Sequence, residues 1–588
     1  MTKTIIDILY NRAEHQSDNI AYTFLREGTI ESKESITYAE LLAKASGISN
    51  LIGKGIQQND RCILIYPPGL EYISAFFGCL LAGGIPVPCY PPFNNNFDVI
   101  NAIISDSGAK IILSTKKIIG LTTIYRGVKK VLSLWQKERV HNIKWLETDS
   151  CNPIYTFSKF SNSTLEQIAF LQYTSGSTGT PKGVTLTHEN LMANLNQIKN
   201  YFGSNKESYG VIWLPPYHDM GLIGGILQPL YVGFPVILMS PIEFLKKPLN
   251  WLKAITHVNE KGYIISGGPN FSYDLCSRKI NDKDVTNLKL SNWKLSFNGA
   301  EPIKGSTLDK FTNKFYPAGF RKNHFFLVYG LAEGTLMASA GKKQTTPIVK
   351  YFDKKMLEQN IAQLSNNASD ENQIAITGCG KALENQKLII VSTDDNIICP
   401  ESKVGEIWLA GKSIAKGYWN NEELSEKQFS AFTNDGDGPY LRTGDLGFLL
   451  DGELFVTGRI KDLIIIRGKN FYPHDIEEAV VSCHPSLRKG CSAVFSCEIN
   501  HTEELIILQE AKGNLNQSEC KKIVAEIIET IVEKFRLRPF AIGILKEKKL
   551  PKTSSGKIRR VLVKQLYKED KIKFIYYSDR RSPVTRIN

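Results

Sequence analysis

The sequence lacks any cysteine pair at CxxC or zinc-type spacing, although it holds 11 cysteines. That excludes a zinc ribbon and a thioredoxin-like redox motif, and it leaves scattered free thiols, as a reducing compartment allows. No Gly-Lys-Ser/Thr triplet stands four residues after a glycine, so there is no Walker A loop. Long hydrophobic runs are missing too. The two most apolar stretches, Ile73 to Val87 and Val211 to Met239, are broken by Gly, Pro, His or Asp, and neither reads as a membrane span. Asp7 and the polar residues after Tyr10 interrupt any secretory h-region, so a cytoplasmic location is expected. Hydrophobic and charged fractions of 42% and 22% are those of an ordinary globular chain. At 588 residues the chain is too long for one core and predicts two to four folding units.

Acidic residues are scarce only at one end. The net charge is +13, and residues 546–588 hold fourteen Lys/Arg against four Asp/Glu. This basic tail suits an acidic protein, a membrane surface or nucleic acid, or serves only for solubility.

Within the rest, one stretch stands out. Tyr173 to Gly183 packs three Gly, five Ser/Thr and Lys182 into eleven residues after the apolar run Ile168 to Leu171. Glycines allow close backbone approach, and hydroxyls, N–H groups and a lysine are partners for phosphate oxygens. Strand and helix signals alternate around it. A capping box at Thr37 and Glu40 opens a helical stripe, Arg61 to Tyr66 reads as a strand ended by Pro67 and Pro68, and Tyr72 to Leu81 reads as a helix stopped at Gly83 and Gly84. Lys110 to Leu113 is a further strand, and Thr187 caps a helix to Asn200. This alternation predicts an α/β fold with a largely parallel sheet.

Three apolar strands end in polar turns. Val211 to Leu214 leads to His218 and Asp219, Trp293 to Phe297 to Asn298-Gly299-Ala300-Glu301, and Phe325 to Val328 to Tyr329-Gly330-Leu331-Ala332-Glu333. Ligands bind at such strand ends, where an aromatic ring stacks on a base and a carboxylate holds magnesium. A polar stretch, 341–373, follows. Asp445 on a Gly turn suits a ribose diol, and Arg459 suits the same ribose or a phosphate. After Lys461 short strands and helices predict a small α+β domain, near whose end Leu550 to Arg560 forms a second basic, hydroxyl-rich loop.

TSGSTGTPKG, NGAEP, YGLAE, YLRTGDLG, TGRIKDLIIIRG and PKTSSGKIRR run in order from Thr174 to Arg560. In that order they resemble the adenylate-forming superfamily of acyl-CoA synthetases, luciferases and adenylation domains. PPYHDMGLIGG, RGKNFYPHDIEE, Ala332 where the family often has Thr, and the polar stretch 341–373 resemble the fatty acyl-AMP ligases in particular.

The resemblance implies a large multi-sheet N-terminal domain, 1–460, carrying the 341–373 insertion, and a small mobile α+β C-terminal domain, 461–588. It implies ATP-dependent conversion of a fatty acid to its acyl-adenylate with release of pyrophosphate, then transfer to the phosphopantetheine thiol of an acyl carrier protein. The alternative acceptor is CoA, and a non-catalytic nucleotide-binding reading would need degraded motifs. Thr174, Ser175, Gly176, Ser177, Thr178, Gly179 and Lys182 would hold the β- and γ-phosphates. Gly299, Ala300 and Glu301, with Tyr329 and Gly330, would border the adenine. Asp445 and Arg459 would bind the ribose, Glu333 the Mg2+, and Lys557 the carboxylate and α-phosphate. His218 would lie near the acyl entrance, and Lys461 would be the hinge. The implied partners are a fatty acid and an acidic carrier protein or polyketide synthase carrier domain, with no nucleic acid, peripheral membrane contact left open, and a monomeric chain.

Overall fold

The computed structural model of the chain describes residues 4–91, 97–121, 143–155, 163–175, 181–365, 372–466, 469–499, 502–552 and 556–580. Local signals act where the pattern puts them. Thr37 and Glu40 form a complete capping box on the Tyr38–Gly53 helix, and Thr187 with Asn190 does the same for His188–Phe202. Arg61–Ile65 is a strand and Leu70–Leu81 a helix.

The largest sheet has nine strands. At its centre Val236–Met239, Tyr209–Ile212, Ile264–Gly268, Leu295–Asn298 and Phe325–Tyr329 lie side by side, all parallel. Almost every residue of these strands is buried, which is why they read as continuous apolar runs rather than alternating ones. Three of the five end at the polar turns singled out above, so one rim of the sheet collects them. A second parallel sheet holds Ile85–Cys89, Arg61–Ile65, Ile111–Ser114 and Lys144–Glu147. A third, antiparallel, holds Gln386–Val391, Gly405–Gly411, Leu441–Leu450 and Glu453–Arg459.

One cluster of buried apolar side chains draws on residues from Ile5 to Tyr418. Aromatic edges meet faces inside it, as where Trp251 and Trp293 stand 5.1 Å apart at 72°. A separate cluster draws only on residues from Ile464 to Tyr576. There the helices Pro473–Cys483 and Gln517–Phe535 accompany a sheet of Leu487–Ile499, Thr502–Ala511, Ala541–Leu545 and Tyr576–Asp579. Among the described residues no helix is long and apolar enough to cross a membrane.

Two features add to the sequence expectation. A second strand leads from the glycine-rich stretch to the helix that Thr187 caps. Ile168–Ser175 folds back antiparallel on Pro181–Thr187, with Thr174 opposite Lys182, and the helix starts only after this hairpin. The polar stretch 341–373 is not structureless either. Val349–Asp353 pairs antiparallel with Gln373–Thr377, and Asp353 caps the short helix Lys354–Leu357. Composition hides that strand because it rests on one fully buried side chain. The Phe352 ring packs 5.0 Å from Phe448 and 5.6 Å from Phe455, while its neighbours stay partly exposed.

Candidate active site

The Leu441–Leu450 and Glu453–Arg459 strands set Asp445 opposite Arg459. Arg459 Nε donates to Asp445 Oδ1 at 2.9 Å, and the Tyr329 hydroxyl donates to Oδ2 at 2.8 Å. Burial, reinforced by the Asp445 charge, pushes the Tyr329 phenol well up, so it remains a donor. The same carboxylate pushes the Arg459 guanidinium up. The result is a nearly buried carboxylate between two donors beside an aromatic ring.

Next to that ring the backbone is tightly fitted. A Cβ at Gly330 would stand 1.7 Å from the Leu336 carbonyl oxygen, so only glycine fits. Ala300 adopts φ +67°, a left-handed conformation costly for a residue with a Cβ, and such strain gathers at functional turns. Beyond it Glu301 Oε1 accepts the Phe271 N–H at 2.5 Å, and burial raises its carboxyl.

Lys557 faces this rim from the far end of the chain. Burial and the nearby Arg459 lower its ammonium below the ordinary lysine value, while Glu301, Asp219 and Asp445 hold it up. Solvent still reaches both cations, and 63% of the Arg459 side chain is accessible. Asp219 is bonded to the His218 ring, Nδ1 to Oδ1 at 2.5 Å, and takes the Met220 N–H at 2.7 Å. Burial works to raise the Asp219 carboxyl, but His218, Met220 and Lys557 together outweigh it and hold it low. A π-helical turn, Met220–Leu227, begins there, a rare form that recurs at functional sites.

At the phosphate hairpin, Lys182 Nζ lies 5.0 Å above the Tyr418 ring. The Tyr418 hydroxyl donates to Glu333 Oε1 at 2.9 Å. Burial, then the Lys461 charge, lowers the Lys182 ammonium, so these two cations share a neighbourhood. Burial raises the Glu333 carboxyl. Glu333 is a single carboxylate with a hydroxyl on one oxygen, and among the described residues no group of three metal-ligating side chains exists. That donor set fits a cation held mainly by triphosphate oxygens and one carboxylate, as Mg2+ is.

The structure thus brings together Lys182, His218, Glu301, Tyr329, Glu333, Asp445, Arg459, Lys461 and Lys557, with Gly299, Ala300 and Gly330 in the adjoining turns. Thr174 and the Ser175 backbone lie at the hairpin, while Gly176, Ser177, Thr178 and Gly179 lie outside the described residues. Asp219, which the sequence places beside His218 at a strand end, holds the His218 ring. Two further residues carry no sequence signal of their own as site residues. Tyr418 lies between Lys182 and Glu333. Tyr173 anchors the hairpin by donating to Asp106 Oδ2 at 2.5 Å. Tyr418 and Tyr173 are hidden from sequence because their partners lie 85 and 67 residues away.

Residues 9–419 match the AMP-binding enzyme family, and residues 461–576 match the Disco-interacting protein 2-like AMP domain. The chain is 39% identical to the medium-chain-fatty-acid–[acyl-carrier-protein] ligase JamA of Moorena producens, over 95% of this chain and 94% of that one. It is 33% identical to the long-chain-fatty-acid–AMP ligase FadD26 of Mycobacterium marinum, over 97% and 98%. It superposes on the crystal structure of a fatty acid AMP ligase from Legionella pneumophila with TM-score 0.73 and 36% identity, covering 98% of each chain. Another Legionella pneumophila structure, 36% identical over 98% of each chain with TM-score 0.71, is a fatty acyl-adenylate ligase in complex with acyl adenylate and pyrophosphate. The fold and cleft are those of an adenylate-forming ligase. The chain belongs to the AMP-binding enzyme family and, within it, to the fatty acyl-AMP ligases.

Proposed function

We propose that the protein activates a fatty acid with ATP and passes the acyl group to the phosphopantetheine thiol of an acyl carrier protein. The carboxylate oxygen attacks the α-phosphorus, the bond to the bridging oxygen breaks, and pyrophosphate leaves with its electron pair. The nucleophile is already ionised, so the step needs positioning and charge stabilisation rather than proton transfer. Lys557 spans carboxylate and α-phosphate, and Lys182 with the hairpin grips the β- and γ-phosphates. Asp445 and Arg459 hold the ribose, Tyr329 and the Gly299–Glu301 turn border the adenine, and His218 lies at the acyl entrance. Glu333 would hold Mg2+, which neutralises phosphate charge when bound. The carrier thiolate then attacks the acyl carbonyl and AMP leaves.

The observation that carries the first step is the convergence of Lys557, Arg459 and Asp445 with the strand-end carboxylates Glu301 and Asp219 in one cleft. Fatty-acid-dependent exchange of labelled pyrophosphate into ATP tests it, and absence of exchange with every chain length would leave a nucleotide-binding protein only.

The separate buried clusters support a large domain, 1–460, and a small domain, 461–588, joined at the Lys461 hinge. Contacts across that boundary support the carrier over CoA. Lys354 Nζ donates to the Lys534 carbonyl at 2.8 Å and lies 3.7 Å above the Phe535 ring. Lys469 pairs with Glu358 at 3.2 Å, and Asn470 Nδ2 donates to Asn360 Oδ1 at 3.1 Å. Lys354, Glu358 and Asn360 all belong to the 341–373 insertion, which in this reading fastens the small domain in its present orientation and opposes the rotation that thiolysis by free CoA needs. The chain is a cytoplasmic monomer in this reading, and its basic tail suits an acidic carrier or a polyketide synthase carrier domain.

A further inference from the structure

Asp445 does not sit on a regular strand. Gly405–Gly411 and Leu441–Leu450 pair with Glu406 opposite Leu446 and Trp408 opposite Arg442. Four steps on one strand therefore face two on the other, and Thr443, Gly444 and Asp445 are pushed out as a bulge. Bulges re-aim side chains and leave ladder groups without partners. Here Glu406, 3% exposed, supplies the missing acceptor. Its Oε1 takes the Gly444 N–H at 3.0 Å, where φ is +72°. Its Oε2 takes the Trp408 Nε1–H at 2.9 Å and Arg442 at 2.9 Å from Nε and 2.8 Å from the second nitrogen. A second latch closes the loop. The Thr443 hydroxyl donates to the Ile407 carbonyl at 2.7 Å and accepts the Asp445 N–H at 3.1 Å.

We propose that Glu406, clamped by Arg442 and Trp408, is a positioning residue for ribose recognition, because it holds open the bulge that aims Asp445. This rests on the reading of Asp445 as the ribose ligand. A buried carboxylate with four donors, three on Oε2 and one on Oε1, is held in one orientation. Glu406 is buried and its bonds go to Gly444, Trp408 and Arg442, so its effect on Asp445 passes through the bulge. An amide at this position puts an NH2 against either Arg442 or the Gly444 N–H, so the bulge relaxes even though the side-chain volume is kept.

The test is the KM for ATP and for 2′-deoxy-ATP in fatty-acid-dependent pyrophosphate exchange, for the wild type, Glu406→Gln, Thr443→Val and Asp445→Ala. Glu406→Gln is expected to raise the KM for ATP about tenfold, the size of one lost hydrogen bond to a charged group, and to change that for 2′-deoxy-ATP less than about threefold. The preference for ATP then shrinks toward that of Asp445→Ala, with the fatty acid KM unchanged. Thr443→Val, which removes the second latch and keeps all four bonds to Glu406, is expected to compress the preference in the same direction. A preference equal to the wild type in both variants, or equal rises for both nucleotides, overturns the proposal. If Asp445→Ala itself keeps the wild-type preference, the ribose reading of Asp445 fails and the proposal falls with it.

Discussion

Lys557 and Glu333 are titratable groups whose surroundings move them in opposite senses. Lys557 must be an ammonium to hold carboxylate and phosphate together, and burial lowers its value. Its charge is therefore lost at lower pH than that of an ordinary lysine, and adenylate formation declines on the alkaline side with it. Lys557→Arg is expected to move that limb upward, because a guanidinium stays charged, and a limb unchanged in pH–rate profiles would refute the assignment. Lys557→Ala is expected to slow adenylate formation about 10²–10³-fold, as loss of one preorganised charge does. ATP binding by calorimetry should stay within about threefold. Glu333 must be ionised to hold a cation, and burial raises its carboxyl. Activity is thus lost on acidification sooner than for an exposed carboxylate. Proton and metal compete, so tenfold more Mg2+ is expected to shift the acid limb to lower pH, and a limb indifferent to Mg2+ in exchange assays would count against Glu333 as the ligand.

At the scale of elements, the choice of acceptor falls, in the proposed function, to the 341–373 insertion. Each surface pair across the boundary contributes less than about 1 kcal/mol. The Lys354–Phe535 contact adds roughly 0.5–2 kcal/mol. Removing several together matters more than removing one, so Lys354→Ala with Lys469→Ala and Asn470→Ala is expected to raise the rate of acyl-CoA formation severalfold without changing pyrophosphate exchange. No gain in acyl-CoA, measured by chromatography, would detach the insertion from acceptor choice. The same scale explains what was legible in the sequence. Caps such as Thr37 with Glu40, and apolar strands ending at His218, Gly299 and Tyr329, are local signals. Tyr329 meeting Asp445 across 116 residues is not local, nor is the hairpin that Tyr173 fastens to Asp106. Those pairings depend on which strands become neighbours. The Val349–Asp353 strand was hidden for another reason, since Phe352 alone anchors it and alternation is too short to register.

For the whole molecule the central issue is that one site is built from distant parts of the chain. Lys557 comes from the C-terminal part, and its carboxylate neighbours Asp219 and Glu301 stand just beyond strands of the large sheet. In the proposed mechanism, the placement of the small domain sets which half-reaction the cleft performs. The Lys304–Glu478 pair at 2.7 Å joins the same two parts. In the proposed reading the basic tail would attract an acidic carrier, an attraction screened over about 8–10 Å at physiological salt. The most direct measurement incubates the purified chain with ATP, Mg2+ and a series of fatty acids, then adds either CoA or a phosphopantetheinylated carrier protein. The account predicts that acyl-adenylate persists with CoA and is consumed within minutes by the carrier, while rapid acyl-CoA formation would contradict it.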